Sequence, residues 1–210
     1  MQIWTDGSLY QGSWFNDRTN GYGRMIHADG DIYEGTWVED KAEGWGIYKH
    51  TDGAKYIGQW SDDKQQGIGL ESWTDGASYY GHYFNGKKHG FGCFHWADHS
   101  EYTGNFDESN ISGKGVYKWC DGRIYDGTWY ANKMHGKGHF TWSDGRKYIG
   151  DYYEDKKEGF GEFVWPDGKK YIGEWKNGKQ TGAGKIIHPD GTLENGIWKN
   201  GVKYTPGEVK

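Results

Sequence analysis

Three stretches of this 210-residue chain gather residue types that could do chemistry. Gly81-His82-Tyr83-Phe84-Asn85-Gly86-Lys87-Lys88 nearly reproduces the glycine-rich loop that cradles phosphates. That loop needs Ser or Thr in the place of Lys88, and a strand leading through the glycines into a helix. The same near-match recurs at Gly173…Gly178-Lys179, so it follows a repeat and not a nucleotide site. His82, His89, Cys93, His95 and His99 are the densest group of metal-ligating types. Cys93 and His95 share one face if their segment is a strand, which could seed a metal site; the simpler reading is solvent-facing positions that carry His. Arg146-Lys147, Lys156-Lys157 and Lys169-Lys170 are basic pairs at repeat-related places. Such pairs could meet anionic headgroups at ~1 kcal/mol per charge near a membrane. Asp151, Glu154, Asp155 and Glu158 stand close enough in sequence to neutralise them, so solvated turns are the preferred reading. The aspartates recur next to glycine as turn formers, and no Ser–His–Asp arrangement or nucleophile elbow is present. The expectation is a non-enzyme with no cofactor and no metal.

Composition narrows the class further. Only 34% of residues are hydrophobic, yet aromatics reach 18% and there are 37 glycines. Disordered chains are poor in aromatics, and this one lacks the aliphatic residues of a thick core. Stacked aromatic rows on a thin sheet reconcile both facts. Residues 1–105 carry 8 Lys and Arg against 15 Asp and Glu, and residues 106–210 carry 17 against 15. That is mild polarity without the basic excess of a nucleic-acid binder. Cys93 and Cys120, 27 residues apart, have neither zinc nor redox spacing. The N-terminus enters the repeat with no apolar signal segment, and no apolar run approaches the ~20 residues of a spanning helix. The sequon at Asn110-Ile111-Ser112 then has no secretory context, and an intracellular location is expected.

The elements that must position any site form a strict period of 23. Its first column is Tyr10, Tyr33, Tyr56, Tyr79, Tyr102, Tyr125, Tyr148 and Tyr171, then Glu194. Two residues on stands a glycine, as at Gly58, and two further an aromatic residue, as at Trp60. Aromatic, glycine, aromatic at period two is one face of a β-strand. A polar turn follows, often Asn-Gly, which supplies the positive φ of a tight hairpin. Then come a Gly-x-Gly pair, a second aromatic-rich face and a closing Asp-Gly, which only Asp98-His99 breaks. Each unit reads as a two-stranded hairpin whose glycines make room for the rings opposite. A lone hairpin is marginal in water, so neighbours must stack.

The unit Tyr-x-Gly-x-Trp, polar turn, Gly-x-Gly, Asp-Gly resembles the MORN repeat (membrane occupation and recognition nexus). Tyr171-Ile172-Gly173-Glu174-Trp175-Lys176-Asn177-Gly178-Lys179, with Gly182 and Gly184, carries the resemblance most closely, and it extends over the whole chain. Departures are Tyr83, Phe106 and Tyr152 in the Trp column and Glu194 in the last unit. The resemblance implies an all-β fold: an elongated, twisted, single-layer antiparallel ribbon of about eight to nine hairpins. One array is expected over residues 1–204, with an N-terminal half-unit, eight full units and an incomplete last one, and a tail over 205–210 that caps the last edge. Family members bind other proteins and sometimes lipid headgroups, and include cytoskeletal and ciliary proteins. In the enzymes among them the chemistry lies in a separate domain.

Residues that are the same in every unit cannot specify a partner, so recognition is expected where the units differ. Between the paired glycines stand Tyr22, Trp45, Ile68, Phe91, Lys114, Lys137, Phe160 and Ala183. In a strand they point away from the face of the core rings. Phe15, Val38, Phe84, Tyr130 and Tyr153 form a second column after the core Trp position. An apolar row on the open face of a thin sheet is a partner site; local packing against flanking turns is the plainer alternative. The predicted partner-binding set is Tyr22, Trp45, Ile68, Phe91, Phe160, Phe15, Val38 and Phe84, a groove for a helix or extended segment of another protein, with the acidic half steering a basic one. The expected function is a scaffold or adaptor in a larger assembly, cytoskeletal or axonemal. The rivals are anionic-membrane binding through Arg146, Lys147, Lys169 and Lys170, and self-association through exposed strand edges.

Overall fold

In the computed structural model of the chain, which describes residues 1–204, every regular element is a β-strand. The tail 205–210 lies outside the described residues. The chain divides into two compact units, Met1–Asn110 and Ile111–Lys210.

In the first unit β1 (Gln2–Ile3) pairs with β2 (Leu9–Phe15). There follow β3 (Arg18–Ile26), β4 (Ile32–Val38), β5 (Lys41–Lys49), β6 (Lys55–Ser61), β7 (Lys64–Ser72), β8 (Ser78–Phe84), β9 (Lys87–His95) and β10 (Glu101–Asp107). Each is antiparallel to the strand before it. The second unit continues with β11 (Asn110–Lys118), β12 (Ile124–Tyr130), β13 (Lys133–Thr141), β14 (Lys147–Tyr153), β15 (Lys156–Val164), β16 (Lys170–Lys176), β17 (Lys179–Ile187), β18 (Leu193–Lys199) and β19 (Val202–Tyr204). These too pair antiparallel in chain order. The predicted all-β hairpin repeat is therefore the observed fold.

The hairpin turns are tighter than their residue types announce. Asn85-Gly86 and Asn177-Gly178 have positive φ at both positions, and so do Glu39-Asp40, Asp62-Asp63 and Ala131-Asn132. That geometry matches the twist of the flanking strands. Repetition supports it, because each turn bonds to the previous repeat. The Asp63 amide donates to the Ala42 carbonyl (3.2 Å), while the Asp63 carboxylate accepts from the Ala42 amide (2.7 Å). Asp40 does the same for Thr19.

The core is a ladder of rings. All eight tyrosines of the first column are at most 2% exposed. Tyr56 lies flat over the facing pair Gly58 and Gly69, and its hydroxyl donates to the Gln59 carbonyl (3.0 Å). A Cβ on Gly69 would come within 2.4 Å of the Tyr56 ring. The glycines are there to let a tyrosine ring touch backbone. Within each unit the tyrosines stand edge-on to rings of the next column: Tyr33 meets Trp37 at 5.0 Å and Trp60 at 5.2 Å. Such pairs add ~0.5–1.5 kcal/mol each beyond their burial, and within each unit they tie one repeat to the next. Trp14 meets one such tyrosine, Tyr10, and is 41% exposed, whereas Trp60 lies between Tyr33 and Tyr56 and is 9% exposed.

Candidate partner-binding face

The first glycine of each Gly-x-Gly pair does not continue a plain strand. Gly58 faces Gly69, but Gln59 faces Gln66, so Gly67 and Ile68 bulge out of register with their own hairpin. Gly67 has φ +62°, a value that favours glycine. The residue after it, Ile68, still pairs with His82 of the next repeat. Polar side chains of the preceding strand fill the bulge: the Ile68 amide donates to the Gln59 Oε1 (2.8 Å), and the Thr36 hydroxyl donates to the Trp45 carbonyl (3.2 Å). The variable residue is thus lifted on the crest of a bulge, away from the core rings.

In the first unit the bulges bring Tyr22, Trp45, Ile68 and Phe91 into one row across β3, β5, β7 and β9. Tyr22, Trp45 and Phe91 are 59–61% exposed and Ile68 is 39% exposed. The row runs through neighbours that the columns had not singled out. Tyr80 on β8 is 59% exposed and Leu70 on β7 41%, with Tyr80 opposite Leu70 on one side and Cys93 on the other. Their signal was available in the alternation: Tyr80 follows the core Tyr79, and Leu70 lies between Gly69 and Glu71 of the ring side, so both fall on the open face. Ile68, Tyr80, His82, Phe91 and Cys93 wall a depression of about 120 Å³ floored by the backbone of Gly81 and Gly92. Phe15, Val38 and Phe84 are also exposed, but they lie at the strand ends beside the hairpin turns. Phe84 there contacts the His89 ring at 5.8 Å.

Phe160 belongs to the second unit, where the same row reads Lys114, Lys137, Phe160, Ala183. A wider depression of about 540 Å³ is lined there by Lys137, His139, Ile149, Phe160, Glu162 and Ile172 among others. Lys137 is paired with Asp151 at 3.0 Å. The four candidate headgroup residues do not converge. Arg146 pairs with Asp144 (2.7 Å) and lies over the Trp142 ring, and Lys169 lies over Trp165. Both therefore sit on the ring-bearing side, whereas Lys170 is bonded to Glu162 (3.0 Å) and shares the open face with Lys147.

The other chemical candidates resolve into strand positions. Gly81 lies on β8, Asn85-Gly86 make its turn and Lys87-Lys88 open β9, so that stretch is one hairpin. Cys93 Sγ lies 3.4 Å from His95 Nε2 and 3.3 Å from the Thr103 hydroxyl. Among the described residues no three His, Cys, Asp or Glu side chains come together as a metal-binding group.

Two charged clusters interrupt the aromatic side. Glu71 accepts from the Tyr83 hydroxyl (2.9 Å) and from Lys88 Nζ (2.7 Å), and Lys88 lies over the rings of Trp73 and Tyr79. Burial, with Glu71 adding, pushes the Tyr83 hydroxyl far above its ordinary pKa. In the second unit Lys157 occupies the place of Lys88. Its Nζ lies 4.8–5.3 Å from the rings of Trp142, Tyr148, Phe163 and Trp175. Burial, helped by the nearby Arg146, lowers its pKa to about 8.

The sequence pattern of the MORN repeat matches eight consecutive segments: residues 10–32, 33–55, 56–78, 79–101, 102–122, 125–145, 148–170 and 171–193. No match is found among curated protein sequences. Among solved structures the chain resembles the wild-type TCP10 domain of Danio rerio CPAP, at 12% identity and TM-score 0.51, over 93% of this chain and 92% of that one. The same domain in complex with a peptide of Danio rerio STIL matches over the same shares, at 12% identity and TM-score 0.50. At that identity the likeness is one of fold.

Proposed function

The chain belongs to the MORN-repeat family, and from that premise we propose that it is a non-catalytic scaffold that holds a partner protein on the open face of its first unit. The observation that carries this reading is the row Tyr22, Trp45, Ile68 and Phe91. Four large side chains are held exposed on bulges whose own geometry is fixed by glycine and by side-chain hydrogen bonds. Folding alone gives no reason to expose a tryptophan there, and a contiguous apolar row on a charged surface marks an interface. The fold is shared with a domain solved with a peptide of another protein bound, which supports a sheet of this kind serving as a peptide platform. We place the assembly in the cytoskeleton, with the ciliary axoneme as the finer assignment.

The test is affinity capture from the protein's native source with the wild type and with Trp45→Ala/Phe91→Ala. The expected result is loss of the specific partners from the double variant while its thermal unfolding stays unchanged. Undiminished recovery with intact folding would refute the reading. Binding to anionic membranes is the second reading, on the lysines of the second unit. Since Arg146 and Lys169 face away from Lys147 and Lys170, sedimentation with phosphoinositide liposomes is expected to show no more pelleting than with neutral ones.

A further inference from the structure

The row on the first unit also selects the conformation of its occupant. Resting on the reading of this face as the partner site, we propose that it takes a basic segment in the polyproline II conformation. The segment would run across the strands with one turn per repeat. The pitch of the row favours this conformation. Each repeat contributes two strands, and strands lie ~4.8 Å apart, so the side chains of the row recur every ~9.6 Å. A polyproline II helix repeats every three residues at ~3.1 Å each, or ~9.3 Å. From Tyr22 to Phe91 are three intervals, over which the mismatch grows to only ~1 Å. An α-helix has no such match: seven residues advance ~10.5 Å, so it drifts ~3 Å over the same three intervals.

Hydrogen bonding favours it as well. An α-helix satisfies its own backbone, whereas polyproline II presents bare carbonyls that need donors. The row supplies them. Trp45 and Tyr80 are each 59% exposed, and neither the Trp45 indole N–H nor the Tyr80 hydroxyl has an acceptor among the described residues. Gln59 uses its Oε1 for the Ile68 amide, which leaves its NH₂ free to donate toward the open face. Aromatic side chains alternating with such donors are how proline-rich segments are recognised. The depression between Ile68 and Phe91 is walled by Tyr80, His82 and Cys93 and is about 120 Å³, a seat for one ring and not for the flank of a helix.

Charge selects a basic occupant. Residues 1–110 carry 17 Asp and Glu against 8 Lys and Arg. Glu34 stands at the row itself, its carboxylate accepting from the Tyr22 hydroxyl (3.0 Å). A segment with a basic residue in each turn is complementary to that surface.

Fluorescence anisotropy with the full chain tests this directly, using three labelled 12-residue peptides of equal charge. They are four Pro-Pro-Lys triplets, four Gly-Ser-Lys triplets, and an α-helical peptide with Leu at every seventh position. The proline peptide is expected to bind at least tenfold more tightly than the other two, and to lose at least tenfold in Trp45→Ala/Phe91→Ala. Tyr80→Phe, which keeps the ring and removes only the donor, is expected to cost about threefold. Equal binding of all three peptides would overturn the proposal, as would preference for the helical one. If the helical peptide binds best and the double variant abolishes it, the face stands as a partner site and only the conformation is wrong. If no peptide responds to the double variant, the partner face and the proposal fail together.

Discussion

Lys88 in the first unit and Lys157 in the second occupy the same column, 69 residues apart, and each emerges beside a tyrosine that replaces the usual tryptophan. Their surroundings differ first in a carboxylate, and also in Arg146, where the first unit has Ala77. The first has Glu71 bridging Lys88 and Tyr83; the second has Phe140 at the matching place. Lys88 is thereby a member of a satisfied triad. Lys157 keeps its four rings and has no carboxylate bonded to its ammonium among the described residues, and the buried Tyr152 hydroxyl has no hydrogen-bond partner. The same cation at the same place in one fold is therefore paired with a carboxylate in one repeat and, among the described residues, held by rings alone in the other. The difference is whether the desolvated charge is compensated.

Replacing each lysine by methionine should separate the two most sharply, because Met134 already fills this column in an adjacent repeat. Lys88→Met strands the Glu71 carboxylate at 21% side-chain exposure. It is expected to cost about 2–3 kcal/mol in urea unfolding followed by tryptophan fluorescence. Lys157→Met should act in the opposite direction, gaining about 1–2 kcal/mol at pH 7. Two destabilising variants of similar size would break the comparison.

The pH dependence sharpens it. Lys157 is lowered from 10.5 to about 8 in the folded state, so between pH 8 and 10.5 the unfolded chain binds the extra proton. Stability contributed by this group is thus least below pH 8 and recovers as pH rises, by an amount on the order of 2 kcal/mol, since the side chain keeps some solvent. The core tyrosines work the other way. Burial raises Tyr33, Tyr56, Tyr79 and Tyr148, so their contribution is present below the unfolded value of about 10 and falls above it. Stability is expected to rise from pH 8 toward about 9.5 and then drop, and Lys157→Met should abolish the rise while keeping the drop. The smallest effects concern the hydroxyls. Tyr83→Phe removes a donor to Glu71 and should cost about 1 kcal/mol, whereas Tyr152→Phe removes a group with no partner and should be neutral or gain up to about 1 kcal/mol.

The fold was legible because its determinants are local and repeated. Tyr56, Gly58 and Trp60 at period two define a strand face, and Asn85-Gly86 a tight turn, without reference to distant residues. What escaped had physical reasons. The turns Glu39-Asp40 and Ala131-Asn132 adopt positive φ because stacking on the previous repeat holds them there, which their residue types do not announce. The bulge at Gly67-Ile68 was hidden because a Gly-x-Gly pair reads equally well as one strand face; the register shift that lifts Ile68 appears only in the pairing. Tyr80 and Leu70 lie outside the column between the paired glycines, and alternation alone puts them on the same open face. Glu71 is the one carboxylate in a column of otherwise aromatic and aliphatic residues. Its meaning lay in departing together with Tyr83 and Lys88, 12 and 17 residues on.

The most direct test of the partner face is site-specific photo-crosslinking in the native setting, with the photoreactive residue placed at Trp45 and, in parallel, at Lys114 in the matching row of the second unit. The account predicts a discrete adduct with another protein from position 45 and little from position 114. Adducts from position 114 alone, or equal diffuse labelling from both, would contradict it.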